Sequence, residues 1–170
     1  MELKTLDIKQ NNLRSYLGPV PADLLAKAVP RLMRVNLGYC NLSDEQTLAL
    51  FEAIQDSEEL ELKNLDIKQN NLRSVPSDIL ANAICRLEEV NLEGCNLSNE
   101  QIMIVLERIG SDMNQNLTEL DISQHEIIPD IYNCELVDAR RKVRITHDRI
   151  YDPWCDHGWD ESHDHILGWD

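Results

Sequence analysis

The sequence predicts an α/β solenoid with a curved parallel sheet inside and helices outside, built from about five strand–helix units and a C-terminal cap. The first observation is a duplication: the ten residues from Leu6 to Ser15 return letter for letter as Leu65 to Ser74. Exact internal repetition is typical of stacked supersecondary units. The second observation is an apolar spacing that alternates between strand-like and helix-like stretches along the chain. We therefore expect function to lie on a repeated surface.

A shorter apolar pattern underlies the duplication. Its first copy consists of Leu3, Leu6, Ile8, Asn11 and Leu13, and four further copies begin at Leu32, Leu62, Leu87 and Leu117. The alternation within each copy suits a short strand with one buried face, which one unit alone cannot cover. The predicted strands lie near 5–8, 34–37, 64–67, 89–92 and 119–122.

Two kinds of helical connection follow these strands. Ser43 with Gln46, and Ser98 with Gln101, fit the capping box that begins a helix. The other connections begin with a proline, which presets a helical φ angle. We call a unit A-type when Asn closes its strand segment and the helix is short. A unit is B-type when Cys closes the segment and the helix is longer and capped. The predicted order is A-B-A-B-A.

The five matches resemble the leucine-rich repeat signature over residues 1–128, and the alternation is similar to the ribonuclease-inhibitor-like class. That class includes the sensor arrays of NOD-like receptors, and the resemblance implies a cytoplasmic array that binds a ligand or acts as a scaffold. In the fifth copy His125 replaces Asn or Cys, which suggests a degenerate capping unit. Because the pattern opens almost at Met1, we expect no nucleotide-binding segment, and the switching function of the receptors is not carried over.

Composition limits the partners. The net charge of −15 disfavours nucleic acid, which needs clustered Lys and Arg, and favours partners with a basic surface. The sequence contains no apolar run that would span a membrane and no apolar signal region. Five cysteines leave one unpaired in any disulfide scheme, which favours a reducing compartment. We expect a cytoplasmic protein.

In this class of fold the variable residues between the buried ones line the concave face. One column across the units alternates Asp and Asn, which either orders the sheet by hydrogen bonding or contacts a partner. The first half of the face has mixed charge and the later half is acidic, so we expect a basic partner against the later half. Tyr39, the one aromatic residue in these columns, is the best anchor. The candidate contact residues are Arg34, Tyr39, Asn64, Asp66, Lys68, Glu89, Asn91, Glu93, Glu119 and Asp121.

Residues 129–170 depart from the pattern and are expected to form a C-terminal cap followed by an acidic tail rich in Trp and His. The stretch from Leu136 to Arg144 suits a short amphipathic helix followed by a strand. In the tail, two pairs of metal-ligand residues are spaced i, i+2, and extended segments joined by a turn could bring all four to a tetrahedral zinc ion. These residues are Cys155, His157, His163 and His165.

The sequence shows no phosphate loop, nucleophile elbow or paired catalytic carboxylates, so we expect no enzymatic activity. The leading hypothesis is a protein–protein interaction module that uses the concave face, in an innate-immune sensor-like or regulatory role, with no cofactor. A zinc-binding regulatory module and a non-functional terminal fragment of a longer receptor are the alternatives. Uncapped strand edges also suggest end-to-end self-association.

Overall fold

A computed structural model of the protein describes residues 3–14, 20–111, 116–125, 139 and 143–147. Over these ranges the chain is an α/β protein with six parallel strands and four α-helices. The strands are Thr5–Asp7 (β1), Arg34–Asn36 (β2), Asn64–Asp66 (β3), Glu89–Asn91 (β4), Glu119–Asp121 (β5) and Arg144–Thr146 (β6). The helices are Ala22–Ala28 (α1), Asp44–Asp56 (α2), Ser77–Ile84 (α3) and Asn99–Gly110 (α4), and a short 3-10 helix spans Val29–Arg31.

The six strands form one sheet whose spatial order is the order of the sequence. Each strand lies parallel to the next, and one α-helix fills each of the first four connections. Parallel neighbours require such crossover connections, since a tight turn cannot join them. The first five strands begin at the residues where the sequence placed them, and each ends one residue earlier.

The sheet continues beyond the fifth strand. β6 pairs in parallel with β5, so that Glu119 lies opposite Arg144 and Asp121 opposite Thr146. Val143 and Ile145 are buried, which explains why this segment stays with the sheet. The sequence analysis placed it in a C-terminal cap because its apolar spacing differs from that of the five repeated segments. In the structure it extends the same sheet by one strand.

The two capping boxes are both formed, and each also joins neighbouring segments. In α2, Ser43 Oγ accepts from the backbone N–H of Gln46, and Gln46 Oε1 accepts from that of Ser43. The Gln46 amide then donates to the carbonyls of Leu13 and Val20, at 3.1 and 2.6 Å. Gln101 makes the equivalent bonds at the start of α4. One buried side chain therefore caps its own helix and fastens it to the preceding loop.

The core lies between the sheet and the helices. The central residue of each of β2 to β5 is buried, as are Leu50, Phe51 and Ile54 of α2 and their counterparts on α4. Because each strand has only three residues, no strand–helix segment can enclose its apolar side chains without its neighbours. Burial of this core therefore depends on stacking.

Asn70 shows how adjacent segments are joined at the ends of the strands. Its amide donates to Ile67 O at 2.8 Å within its own segment and to Leu37 O at 2.9 Å in the preceding one. Its Oδ1 accepts from Leu42 N at 3.0 Å. Asn11 is the same residue in the duplicated ten-residue sequence, but it is exposed and bonds only to Ile8 O and Lys9 O. The identical residue thus has different structural weight at the two positions.

We expect Asn70→Ala to lower the free energy of unfolding by about 2–4 kcal/mol, because it leaves buried backbone groups without partners. Asn11→Ala is the matched control and should cost less than about 1 kcal/mol, since water can replace the lost bonds. Guanidinium unfolding of the two variants measures both values. Equal losses would contradict the role given to Asn70.

Candidate functional site

The side chains on the side of the sheet opposite the helices form rows that cross the strands, and we call this side the polar face. Strand register sets the rows, since each residue lies opposite its counterpart on the next strand. The outer row consists of Thr5, Arg34, Asn64, Glu89, Glu119 and Arg144. The inner row consists of Asp7, Asn36, Asp66, Asn91, Asp121 and Thr146.

The inner row is used for turns at the ends of the strands. In each of the first five strands the Asp or Asn oxygen accepts the backbone N–H two residues ahead. Asn36 accepts from Gly38 at 3.0 Å, Asn91 from Glu93 at 2.9 Å and Asp121 from Ser123 at 2.9 Å. Asp7 and Asp66 make the same bond at 3.2 Å. Such Asx turns explain the regular Asp/Asn column, so the ordering role left open in the sequence accounts for one oxygen of each side chain.

The outer row has a different charge at nearly every strand. Asn64 donates to the carboxylate of Glu89 across the neighbouring strands. Arg144 lies 3.5 Å from Glu119 and is largely exposed. Arg34 makes no hydrogen bond or ion pair with any residue that the structure describes. Arg34 is therefore available to a ligand, and Arg144 bounds the acidic half of the row.

Beyond the strand ends, a further row has left-handed backbone. Gln10, Tyr39, Gln69 and Gln124 all have φ between 57 and 61°, and Gly94 occupies the same position with φ 62°. Gln69 donates to Gln124 Oε1 at 2.8 Å and crosses directly over Gly94. A Cβ on Gly94 would overlap the Gln69 amide, so glycine is required there by both φ and close approach.

The other predicted contact residues near this row have partners or exposed positions as follows. Lys68 lies 3.9 Å from the carboxylate of Glu93, which also accepts a hydrogen bond from Gln124. Tyr39 is 47% exposed and stands outside the residues that line the floor of the polar face. The structure thus places Tyr39 at the rim, whereas Asn64, Glu89 and Glu119 lie together on the strands.

A shallow groove of about 280 Å³ runs along the polar face across the first five strands. Its charged lining residues are one guanidinium, from Arg34, and five carboxylates, from Asp7, Asp66, Glu89, Glu119 and Asp121. Small-molecule sites are typically 300–1,000 Å³, enclosed and mostly apolar. This groove is open and acidic, so its chemistry suits an extended polar surface with positive charge.

Three cysteines of the described chain are free and buried, namely Cys40, Cys85 and Cys95. Burial raises the pKa of the Cys85 thiol to about 11 and that of Cys95 to about 12, and it also raises the pKa of Cys40. The Cys40 and Cys95 thiols donate to the carbonyls of Ile8 and Ile67 in the preceding segments. These two thiols therefore join segments at the position that Asn occupies elsewhere.

His125 fills that same position on β5 incompletely. Its Nδ1 contacts Ile122 O at 2.9 Å, as Asn70 contacts Ile67 O. Its buried Nε2 has no hydrogen-bond partner. The planar ring cannot both donate to and accept from the preceding segment as the Asn70 amide does. The sequence signal for a weaker junction here was therefore the substitution itself.

Two predicted features lie partly or wholly outside the site. The four proposed zinc ligands, Cys155, His157, His163 and His165, lie outside the described residues. Among the residues that are described, no group of three or more His, Cys, Asp or Glu side chains could hold a metal ion. None of the described helices is long and apolar enough to cross a bilayer.

Sequence reasoning missed two contributors to the polar face. Arg144 was assigned to a cap, although its alternation with Val143 and Ile145 is the available signal for a strand. The bridge from Gln69 to Gln124 was missed because it depends on the absence of a side chain at Gly94. No protein-family model matches the chain, and neither does any curated protein sequence.

We expect Cys85 and Cys95 to resist alkylation by iodoacetamide at pH 8. Thiolate is the reactive form, and it makes up about a tenth of an ordinary thiol at this pH. With the raised pKa values only about a thousandth or less is ionised in the folded protein, and the thiolate fraction grows only as pH approaches those values. Mass spectrometry of peptides after timed alkylation measures this. In guanidinium both should react at ordinary rates, and equal rates with and without denaturant would contradict the burial.

Proposed function

We propose that the chain is a leucine-rich-repeat solenoid of the ribonuclease-inhibitor-like class and acts as a protein–protein interaction module. The parallel sheet in sequence order, with a helix in each of the first four connections, supports the solenoid interpretation. So do the equivalent turns at the ends of the five predicted strands. An innate-immune sensor-like or regulatory role remains part of this proposal through the resemblance to NOD-like-receptor arrays.

The observation that carries the proposed function is the charge of the groove. Five carboxylates face one guanidinium along a surface of neighbouring strands. The inner-row carboxylates are held in place because one oxygen of each is fixed by an Asx turn. Fixed, like-charged groups attract an oppositely charged partner and orient it as it arrives. The partner is therefore a protein that presents Lys or Arg side chains.

The acidic centre of the proposed site lies on β3, β4 and β5. Glu89 and Glu119 are neighbours in the outer row, with Asp66 and Asp121 on the adjacent strands of the inner row. Arg34 on β2 and Arg144 on β6 flank this centre. Positive charge on both sides limits the acidic contact to these three strands. The partner's basic segment consequently needs to span only their width, about 10 Å at the usual strand spacing.

Tyr39 supplies an apolar contact at the rim of this site. It is half-exposed and held on left-handed backbone at φ 58°. The Gly38 before it leaves the Lys68 side chain room to pass beside the turn. A tyrosine in such a position offers a large contact area at low entropic cost. It is proposed as the anchor beside the electrostatic contact.

Reversing charge at the acidic centre tests this site. In Glu89→Lys combined with Glu119→Lys, we expect at least a tenfold loss of partner capture on immobilised protein, because two attractive contacts become repulsive. The matched control is Glu52→Lys with Glu107→Lys, exposed residues of α2 and α4 with the same change in net charge. Capture that is equal for the two double variants would rule out the groove. Capture by the native chain should also weaken as salt rises.

Tyr39→Gly separates binding from folding at the rim. Glycine adopts this φ without strain, as Gly94 does at the equivalent position, so the free energy of unfolding should change by less than about 1 kcal/mol. Loss of the aromatic contact should weaken partner binding by about tenfold. Titration calorimetry with the captured partner and guanidinium unfolding measure the two effects. Unchanged affinity would remove Tyr39 from the site.

A further inference from the structure

The first strand–helix unit has an outer side with no neighbour among the described residues. β1 is the edge strand of the sheet, and the ten residues that include it are identical to those that include β3. β3 has a complete neighbour on the corresponding side, because it follows β2 and α2. The second copy is therefore an internal template for what covers the first.

The apolar residues differ most clearly between the two copies. Leu62 is 2% exposed whereas its counterpart Leu3 is 65% exposed. Ile79 of α3 packs against the core, whereas Leu24 in the same place on α1 is 55% exposed. The preceding segment covers Leu62 and Ile79 in the second copy. Nothing in the described chain does so in the first.

The polar groups show the same difference. Arg86 follows α3 and its guanidinium donates to the carbonyls of Ile54 and Ser57, at 2.8 and 2.5 Å. It thereby caps the free carbonyl end of α2. Arg31 stands at the equivalent place after α1, is exposed, and makes no hydrogen bond or ion pair with any described residue. Asn11 likewise lacks the bonds to a preceding segment that Asn70 makes.

The backbone edge follows the same rule. Asn64 N donates to Met33 O at 3.1 Å, and Asp66 O accepts from Leu37 N at 2.7 Å. The equivalent groups of β1 are Thr5 N and Asp7 O, which face outward from the sheet edge. Leu3, Asn11, Leu24 and Arg31 together with this edge of β1 are here called the end face. Every group on the end face has a counterpart with a known partner in the B-type segment of residues 32–60.

We propose that the end face is a docking surface for a strand–helix unit of the B type carried by another protein. The partner's strand pairs in parallel with β1, and its helix lies against Leu24. The carbonyls at the end of that helix accept Arg31, as those of α2 accept Arg86. This surface lies at the edge of the sheet, and its test uses residues away from Glu89 and Glu119, so its failure and that of the groove are seen separately.

A fusion tests the fit within one molecule. A copy of residues 32–60 is placed directly before Glu2, where Glu2-Leu3-Lys4 repeats the natural junction Glu61-Leu62-Lys63. We expect hydrogen exchange at the Thr5 amide to slow at least tenfold in the extended chain, since this N–H gains a carbonyl partner. Arg31→Ala should lower the unfolding midpoint of the extended chain and leave that of the parent unchanged. Arg86→Ala, the matched control, should lower both.

A peptide with the sequence of residues 32–60 tests docking between molecules. Fluorescence anisotropy of the labelled peptide should show saturable binding to the full chain. Leu24→Glu should weaken it at least tenfold, because it introduces a charge into the apolar contact. Met103→Glu is the control, since Met103 is also exposed but lies on α4, and it should bind as the native chain does.

Three results would overturn the proposal. Unchanged exchange at Thr5 in the extended chain would show that the end face does not accept a B-type unit. Slowed exchange in the fusion, with peptide binding absent or insensitive to Leu24→Glu, would exclude a partner on another protein. Self-association of the native chain in sedimentation equilibrium, abolished by Leu24→Glu, would make a second copy of this chain the occupant instead.

Discussion

The parallel pairing of each strand with the next is the constraint on which the rest of this structure depends. A strand of three residues forms few hydrogen bonds and has one buried side chain, so it gains stability only from neighbours. The junctions are strengthened outside the strands by side chains that bond to backbone. Asn70 and Gln101 each link two segments in this way. Stability is therefore a property of junctions between segments.

This constraint also decides which surface residues are free to vary. The inner row is tied to turn formation, and the left-handed row beyond it accepts only residues that tolerate positive φ. The outer row has neither task, and it is the row in which Arg34, Asn64 and Glu89 differ from strand to strand. Specificity can be encoded there without loss of the fold.

Much of this architecture follows from short-range sequence features. The apolar alternation around Leu6, Leu65 and Leu120 predicts strands because period-two burial is a local property. Capping at Ser43 and Ser98 is local for the same reason. The sixth strand was not placed in the sheet because its membership depends on pairing with β5, a contact between distant residues. The bridge over Gly94 is also non-local, since it involves Gln69 and Gln124 of different segments.

The candidate site could be predicted by position but not by pairing. The acidic residues of the later half do lie along one groove, because strand register carries sequence spacing directly into space. Which charges are neutralised depends on side-chain geometry, and here Glu119 has Arg144 beside it while Arg34 has no ionic partner. On the two B-type strands, β2 and β4, equivalent outer-row positions therefore carry opposite charges, Arg34 and Glu89. The same backbone thus presents a surface with direction, and a partner with its own charge gradient would dock in one orientation along the strands.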